Sequence, residues 1–192
     1  MARNKAFDYD EKLETVRNLF WEKGYKATSM HDIVDTLQLN RSSVYNTYGN
    51  KHTLFLKCLA NYAQMKTAQY RNAVKNEGSP FEVLSYAIHD VVNQTIKDKK
   101  ACLIVRTILE LGDSDLEAGK LITANAKVLE GIFRDLIEKA QAAQEIKKDV
   151  VPEVGARFIL AAFGGFYEHY ILSGSKMEVE QMVDFMLSAM RA

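Results

Sequence analysis

The sequence contains little proline or cysteine and no long uninterrupted apolar run. Cys58 and Cys102 are the only cysteines among 192 residues, which is too few for a disulfide framework, so we expect reduced thiols. No stretch reaches the roughly 18 uncharged apolar residues that a transmembrane helix needs, and residues 1–10 lack the apolar segment of a signal peptide. We therefore expect a folded, cytoplasmic protein without a membrane partner.

An excess of charge of one sign is also missing, because 25 basic residues balance 25 acidic ones. Phosphate neutralisation drives much of DNA binding, so a zero net charge does not by itself support a nucleic-acid partner. The distribution is uneven, since residues 1–58 hold nine Lys and Arg against seven Asp and Glu. This small basic excess permits DNA binding without requiring it.

The periodicity of the sequence is helical. Pro80 and Pro152 each precede a long amphipathic pattern, and proline suits the first turn of a helix. Apolar residues recur at spacings of three and four, without period-two alternation or hairpin turn signals. The sequence predicts an all-α protein with helices over 9–23, 30–37, 41–48, 51–75, 80–98, 101–111, 115–145, 152–172 and 177–190.

Residues 30–48 have the pattern of a helix-turn-helix, whose second helix enters the major groove of DNA. Val44 and Tyr48 form the apolar stripe of that second helix. The positions that point outward or lie in its exposed first turn carry side chains that can donate to bases or phosphates. These positions are Arg41, Ser42, Ser43, Tyr45 and Asn46. An ordinary solvated helix of a helical bundle is the alternative interpretation.

The segment Leu19–Ile33, LFWEKGYKATSMHDI, resembles the opening of the TetR family of transcriptional regulators. The similarity continues through Val44-Tyr45, Tyr48-Gly49-Asn50-Lys51 and Leu54-Phe55. The resemblance implies a three-helix DNA-binding domain followed by a larger helical domain that binds an effector and forms a homodimer. We place these two domains at 1–55 and 56–192.

The resemblance also implies which residues bind the DNA backbone. Thr28 or Ser29 would hold a phosphate, the polar face of 41–46 would face the groove, and Lys51 would bind the backbone. Physical chemistry supports the role of Lys51, because the first turn of a helix offers free N–H groups and the positive end of the dipole.

Three residues depart from the family pattern. Gln38 and Ser42 stand where the family often has glycine, and Thr47 stands where it often has histidine. One possibility is that Gln38 adopts a left-handed backbone conformation, which costs about 1 kcal/mol relative to glycine. The other is that the turn has a different geometry from that of the family. We expect these departures to affect operator choice more than the fold.

The helix after Pro152 contains the run AAFGGF at 161–166. Glycine inside a helix costs about 1 kcal/mol relative to alanine, so a close helix approach is the natural reason for the pair. The resemblance implies that the last two helices form a four-helix bundle with a second copy, although the same spacing suits an intramolecular core. The candidate interface residues are Phe163, Gly164, Phe166, Tyr170, Met182, Phe185 and Met186.

An effector pocket among the middle helices is a further implication of the resemblance. The candidate lining residues are Tyr62, Met65, Tyr86, His89, Cys102, Arg106, Phe133, Phe158 and Tyr167. For each of these residues, the alternative interpretation is a role in the hydrophobic core. Arg106 would meet an anionic ligand or else pair with Glu110 one helical turn later. Cys102 begins a helix, where the dipole raises thiol reactivity, so an oxidant or electrophile sensor is the alternative to a structural cysteine.

The sequence contains no phosphate-binding glycine loop, nucleophile elbow or zinc-ligand spacing. We therefore expect that the protein is not an enzyme and that it has neither a cofactor nor a metal site. The resemblance implies a TetR-like repressor that binds a pseudo-palindromic operator as a homodimer and is released by a small-molecule effector. A helical adaptor that has the same fold but does not read DNA is the alternative.

Overall fold

The computed structural model describes residues 8–98, 100 and 102–192, and these residues fold almost entirely into α-helices. The helices are α1 Tyr9–Lys23, α2 Met30–Leu37, α3 Arg41–Tyr48, α4 Lys51–Ala73, α5 Pro80–Asp98, α6 Leu103–Leu111, α7 Leu116–Ala142, α8 Pro152–Ser173 and α9 Lys176–Met190. The described residues contain no β-strand, only an isolated bridge between Ile146 and Arg191. The predicted all-α fold is confirmed, although the predicted start of α6 at residue 101 lies outside the described residues.

Local sequence signals explain where most helices begin. Ser29 accepts a hydrogen bond from the amide of Asp32, whose side chain accepts one in return, which completes a capping box at α2. Asn40 accepts from the amide of Ser43 at the start of α3. Pro152 occupies the first turn of α8, where a missing N–H costs no helical hydrogen bond.

The first compact unit comprises the described part of Met1–Gln64 together with Cys102–Ile122. Helices α1, α2 and α3, the first half of α4, and α6 belong to this unit. Fully buried apolar residues from all of these helices except α6 include Val16, Phe20, Ile33, Leu37, Val44, Tyr48, Phe55 and Leu59. Leu103 and Thr107 are the buried residues of α6.

The second compact unit comprises the described part of Met65–Ala101 together with Thr123–Ala192. Its core is formed by α5, α7, α8 and α9, and its fully buried residues include Leu84, Ile88, Phe133, Ile137, Ile159, Val179 and Val183. Helices α4 and α7 each contribute residues to both units. The functional division at 55/56 stays a prediction, because these units are defined by packing alone. No helix within the described ranges is long and apolar enough to cross a membrane.

Candidate nucleic-acid interface and associated surfaces

The two helices of the predicted helix-turn-helix are joined by a turn in which Gln38 has a left-handed backbone, with φ 52° and ψ 39°. The amide of Gln38 donates to the carbonyl of Asp35 at 3.2 Å. Of the two possibilities that the sequence left open, the structure shows the left-handed residue rather than a different turn. A glutamine in this conformation costs about 1 kcal/mol relative to glycine, which the buried Leu37 beside it helps to offset.

The outward face of α3 carries the polar side chains that the sequence predicted. Val44 and Tyr48 are fully buried, so the opposite face of this helix points to solvent. Arg41, Ser42, Tyr45 and Asn46 are exposed, whereas Ser43 is half-buried. The Arg41 guanidinium lies 5.7 Å from the centroid of the Tyr45 ring, within the range of a cation–π contact.

The two residues predicted to hold a phosphate differ in the structure. Thr28 is fully buried and its hydroxyl donates to the Gly24 carbonyl at 2.6 Å. The prediction is therefore wrong for the Thr28 side chain, because closing the α1–α2 turn places it in the core. Ser29 is exposed at the first turn of α2, where its hydroxyl contacts Asp32.

An ion pair neutralises the acidic residue of this cap. The Lys23 ammonium donates to an Asp32 carboxylate oxygen at 2.6 Å. Lys23 and then Ser29 hold the pKa of Asp32 well below its usual range. Asp32 therefore stays ionised, but the charge of Lys23 balances its negative charge. As a result, the N-terminus of α2 presents little net negative charge to an approaching phosphate.

Lys51 lies at the first turn of α4, as predicted. Its ammonium is 4.4 Å from the centroid of the Tyr25 ring. Burial lowers the pKa of Lys51, and the charges of Glu110 and Asp32 oppose that effect. Asn50 accepts from the amide of Thr53 at 2.9 Å and so caps the same helix. The site thus combines a half-buried ammonium with a helix N-terminus.

Lys57 contacts the end of the predicted recognition helix α3 and was not predicted from the sequence. Its ammonium donates to the carbonyl of Tyr48 at 3.4 Å, at the last residue of α3. A cation at this end of a helix complements the negative end of the helix dipole. Lys57 lies on α4 and no spacing rule within one helix connects it to Tyr48, so the sequence carried no signal for this contact.

The candidate effector residues are divided between the two compact units. Tyr62 is a buried core residue of the first unit, with its ring 5.1 Å from that of Trp21. Phe133 is a buried core residue of the second unit. Tyr86 is 47% exposed and Phe158 is 60% exposed. Core packing and exposure therefore argue against an effector role for these four residues.

Four other candidates have different surroundings. His89 faces Asp184 at 3.3 Å, whereas Cys102 and Met65 are half-buried. Tyr167 lines a cavity of about 10 Å³ between α5 and α8, and burial raises its pKa. Cys58 is fully buried, as expected for a core residue, and burial raises the pKa of its thiol.

Arg106 is occupied within the protein. Its Nε donates to a Glu110 carboxylate oxygen at 2.9 Å, which confirms the predicted pair one helical turn apart. Its Nη2 donates to the carbonyl of Lys23 at 2.9 Å. With these partners the guanidinium has little remaining capacity for an anionic effector.

An apolar groove of about 700 Å³ runs along α8 and α9. Phe185 is 76% exposed and Met182 is 38% exposed, whereas Phe166 and Met186 belong to the core beneath the groove. Phe163 and Tyr170 pack partly against the same core. A Cβ added to Gly164 or Gly165 would meet no atom within 4 Å. Packing within one chain therefore gives no reason for these helical glycines.

Within the described part of the chain, no group of three or more His, Cys, Asp or Glu side chains is arranged to hold a metal ion.

Comparisons with known proteins agree with this geometry. The model of the family described as "Bacterial regulatory proteins, tetR family" matches residues 13–58. The HTH-type transcriptional regulator YezE of Bacillus subtilis strain 168 is 32% identical over 149 residues, which make up 76% of each chain. The HTH-type transcriptional repressor ComR of Escherichia coli strain K12 is 26% identical over 148 residues, or 76% of this chain and 70% of ComR.

The fold is also found among solved structures. AibR in complex with isovaleryl coenzyme A and operator DNA superposes with a TM-score of 0.73 at 21% identity, covering 95% of this chain and 97% of AibR. The matched family segment spans α1, α2, α3 and the start of α4. These relatives are transcriptional regulators rather than enzymes. With its helix-turn-helix and its similarity to YezE over three quarters of the sequence, this chain belongs to the tetR family of bacterial regulatory proteins.

Proposed function

We propose that the protein is a cytoplasmic repressor, without catalytic activity, that binds a pseudo-palindromic operator as a homodimer and is released by a small-molecule effector. The observation that carries this proposal is the exposed polar face of α3 on a fully buried helix-turn-helix core. A solvated bundle helix would not need the left-handed Gln38 that sets the turn in front of α3. The resemblance of the chain to the repressor ComR supports the direction of control.

The side chains of the interface divide into three groups by chemistry. Arg41 and Asn46 carry groups that bind guanine and adenine edges in the major groove. Ser42, Ser43 and Tyr45 add hydroxyl groups that serve bases or phosphates. Lys51 and the exposed Ser29 lie at two helix N-termini, which favour phosphate. The first group selects the sequence, the second group serves either role, and the third group positions the protein on DNA.

The α8–α9 groove is the proposed dimer interface. A second copy would cover Phe185 and Met182, and it would give Gly164 and Gly165 the close helix approach that their own chain lacks. Each glycine costs its helix about 1 kcal/mol relative to alanine, so an approach by a partner helix accounts for both. A two-fold dimer places two recognition helices in successive major grooves, about 34 Å apart.

The proposed effector site lies around Tyr167. This residue and Phe163 line the cavity between α5 and α8, and both helices lie in the second compact unit. At about 10 Å³ the cavity holds at most one water molecule. An effector therefore has to bind a conformation in which α5 and α8 separate, and its preference for that conformation supplies the energy of release. AibR was solved with both a ligand and operator DNA, which supports a ligand-responsive role.

DNase I footprinting of the purified protein on the intergenic region beside its own gene tests DNA binding. We expect two protected half-sites related by a pseudo-dyad and separated by about one helical turn. A folded dimer that protects no site at low salt would support the adaptor instead. A thermal-shift panel of small molecules, followed by operator release, tests the effector. Ligands that stabilise the protein without releasing operator would contradict effector control.

A further inference from the structure

Arg106 of α6 binds the carboxyl end of α1. Its Nη1 donates to the carbonyl of Glu22 at 3.0 Å, and its Nη2 donates to that of Lys23 at 2.9 Å. The carbonyl of Trp21 lies 3.4 Å from Nη1. The last carbonyls of a helix have no partner within the helix and carry the negative end of its dipole. The planar guanidinium therefore presents several donors to a helix end that favours positive charge.

Glu110 completes the same contact one turn later on α6. One carboxylate oxygen accepts from Arg106 Nε at 2.9 Å, and the other accepts from the backbone amide of Lys26 at 3.0 Å. Burial alone raises the pKa of Glu110, but the Lys26 amide and the Arg106 guanidinium outweigh it and hold the pKa below its ordinary value. Glu110 therefore stays charged while it binds the α1–α2 turn.

Gly24 shows how closely the carboxylate approaches that turn. A Cβ built on Gly24 would lie 1.8 Å from the Glu110 carboxylate oxygen, far inside any permitted contact. The backbone of Gly24 also has a φ of +83°, which side chains disfavour. The α1–α2 turn is thus shaped to receive Glu110, and the contact is a specific part of the fold.

Chain connectivity makes this contact important for DNA reading. The chain passes between the two compact units after residues 64, 101 and 122. Among the described residues, the reading head, defined here as α1–α3, leads directly into α4. Helix α6 belongs to the head's compact unit through contacts alone, and both of its chain ends lead to the second unit. The Arg106–Glu110 contact therefore adds a connection to the head that the backbone does not provide.

A second polar contact ties the start of α4 to the segment after α6. His52 Nε2 lies 2.7 Å from an Asp115 carboxylate oxygen, and Asp115 also caps the start of α7 by accepting from Ala118. His52 follows Lys51 on α4, so this contact holds α4. Arg106 and Glu110 hold the α1–α2 turn instead, which lies directly before Ser29 and α2.

We propose that Arg106 and Glu110 form a positioning clamp that fixes the orientation of the reading head against α6 and thereby sets the half-site spacing that the dimer accepts on its operator. The proposal rests on the proposed function. One extra base pair between half-sites shifts the second half-site by about 3.4 Å and rotates it by about 34°. A clamped head resists that displacement, whereas a head attached through α4 alone follows it.

The test compares clamp variants on three DNA duplexes: the footprinted operator, the same operator with one base pair inserted at its centre, and a single half-site. Arg106→Met keeps the apolar stem but removes every donor. Arg106→Lys keeps the charge but loses the planar fork. Arg134→Met is the matched control, because Arg134 forms an ion pair of 2.9 Å with its neighbour Asp135 and lies in the second unit. Fluorescence anisotropy gives each dissociation constant, and sedimentation confirms the dimer.

For Arg106→Met we expect affinity for the footprinted operator to fall by about tenfold, the loss typical of charge-assisted hydrogen bonds. The ratio of affinities between the native and lengthened operators should shrink by a similar factor. Half-site affinity and the salt slope should stay unchanged, because the phosphate contacts are the same. Arg106→Lys should lie between wild type and Arg106→Met, and Arg134→Met should match wild type.

A purely structural role has a different signature. Partial unfolding lowers affinity for all three duplexes by one common factor and leaves the spacing ratio unchanged, which would overturn the proposal. A wild-type protein that binds its operator but tolerates the inserted base pair equally well would also overturn it. If Arg106→Met does not fold, the spacing ratio of Arg106→Lys decides between these outcomes. A wild-type protein that binds no operator would overturn the proposed function, and the clamp proposal with it.

Discussion

Replacing Phe185 by alanine should dissociate the proposed dimer. A phenylalanine buries about 200 Å² when fully covered, and Phe185 is 76% exposed, so about 150 Å² per protomer remains to be buried. Alanine would still bury about 50 Å² there, which leaves a loss of about 100 Å² per protomer and about 200 Å² per dimer. At about 25 cal/mol/Å² this loss is about 5 kcal/mol. The dissociation constant should therefore rise by about 10³-fold to 10⁴-fold.

Sedimentation equilibrium in the absence of DNA measures this effect. Tyr86→Ala is the matched control, because Tyr86 is also an exposed aromatic residue of the second unit, at 47%, and does not line the groove. We expect the control to keep the wild-type dissociation constant. Circular dichroism at the working concentration verifies that both variants are folded. Equal dissociation constants for the two variants would refute the assignment of the α8–α9 groove to a second copy.

Three further predictions concern DNA contacts, glycine positions and pH. Lys51→Ala should weaken operator and random DNA alike and lower the salt slope by about one unit, whereas Asn46→Ala should change base preference. An equal loss on specific and random DNA for Asn46→Ala would remove it from the reading face. Gly24→Ala should lower the free energy of unfolding by more than about 1 kcal/mol, because of its positive φ and the Glu110 clash. Gly164→Ala should instead stabilise the monomer by up to about 1 kcal/mol while weakening the dimer, and thermal melts with sedimentation check both. The pKa of Glu110 is held below its ordinary value in the folded protein, so its stabilisation is fully present above the ordinary pKa and is lost as the pH falls through the folded pKa. Glu110→Gln should therefore flatten the dependence of stability on pH in that acidic window, and an unchanged dependence in denaturant titrations would argue against the clamp geometry.

Local signals in the sequence determined much of the reading head. The predicted bounds of α2 and α3 match the observed Met30–Leu37 and Arg41–Tyr48. Capping by Ser29 and Asn40 involves partners only three residues away, and side-chain oxygens of these types satisfy the free amides of a first turn wherever the helix lies. The exposed face of α3 could likewise be predicted, because a period of 3.6 residues places Val44 and Tyr48 on one side.

Contacts between distant parts of the chain were decided only by the tertiary structure. The sequence offered Arg106 a pair with Glu110 or an effector, but its carbonyl partners lie 83 to 85 residues away. The burial of Thr28 depends on how the α1–α2 turn closes onto the core, and no local pattern distinguishes it from the exposed Ser29. Caps and periodicity act within one or two helical turns, so the sequence by itself determined the helices and the polar face of α3. Packing between helices that are far apart in the sequence placed α6 against the head. It also left the α8–α9 groove open, because the burial of a residue depends on which surfaces meet in space.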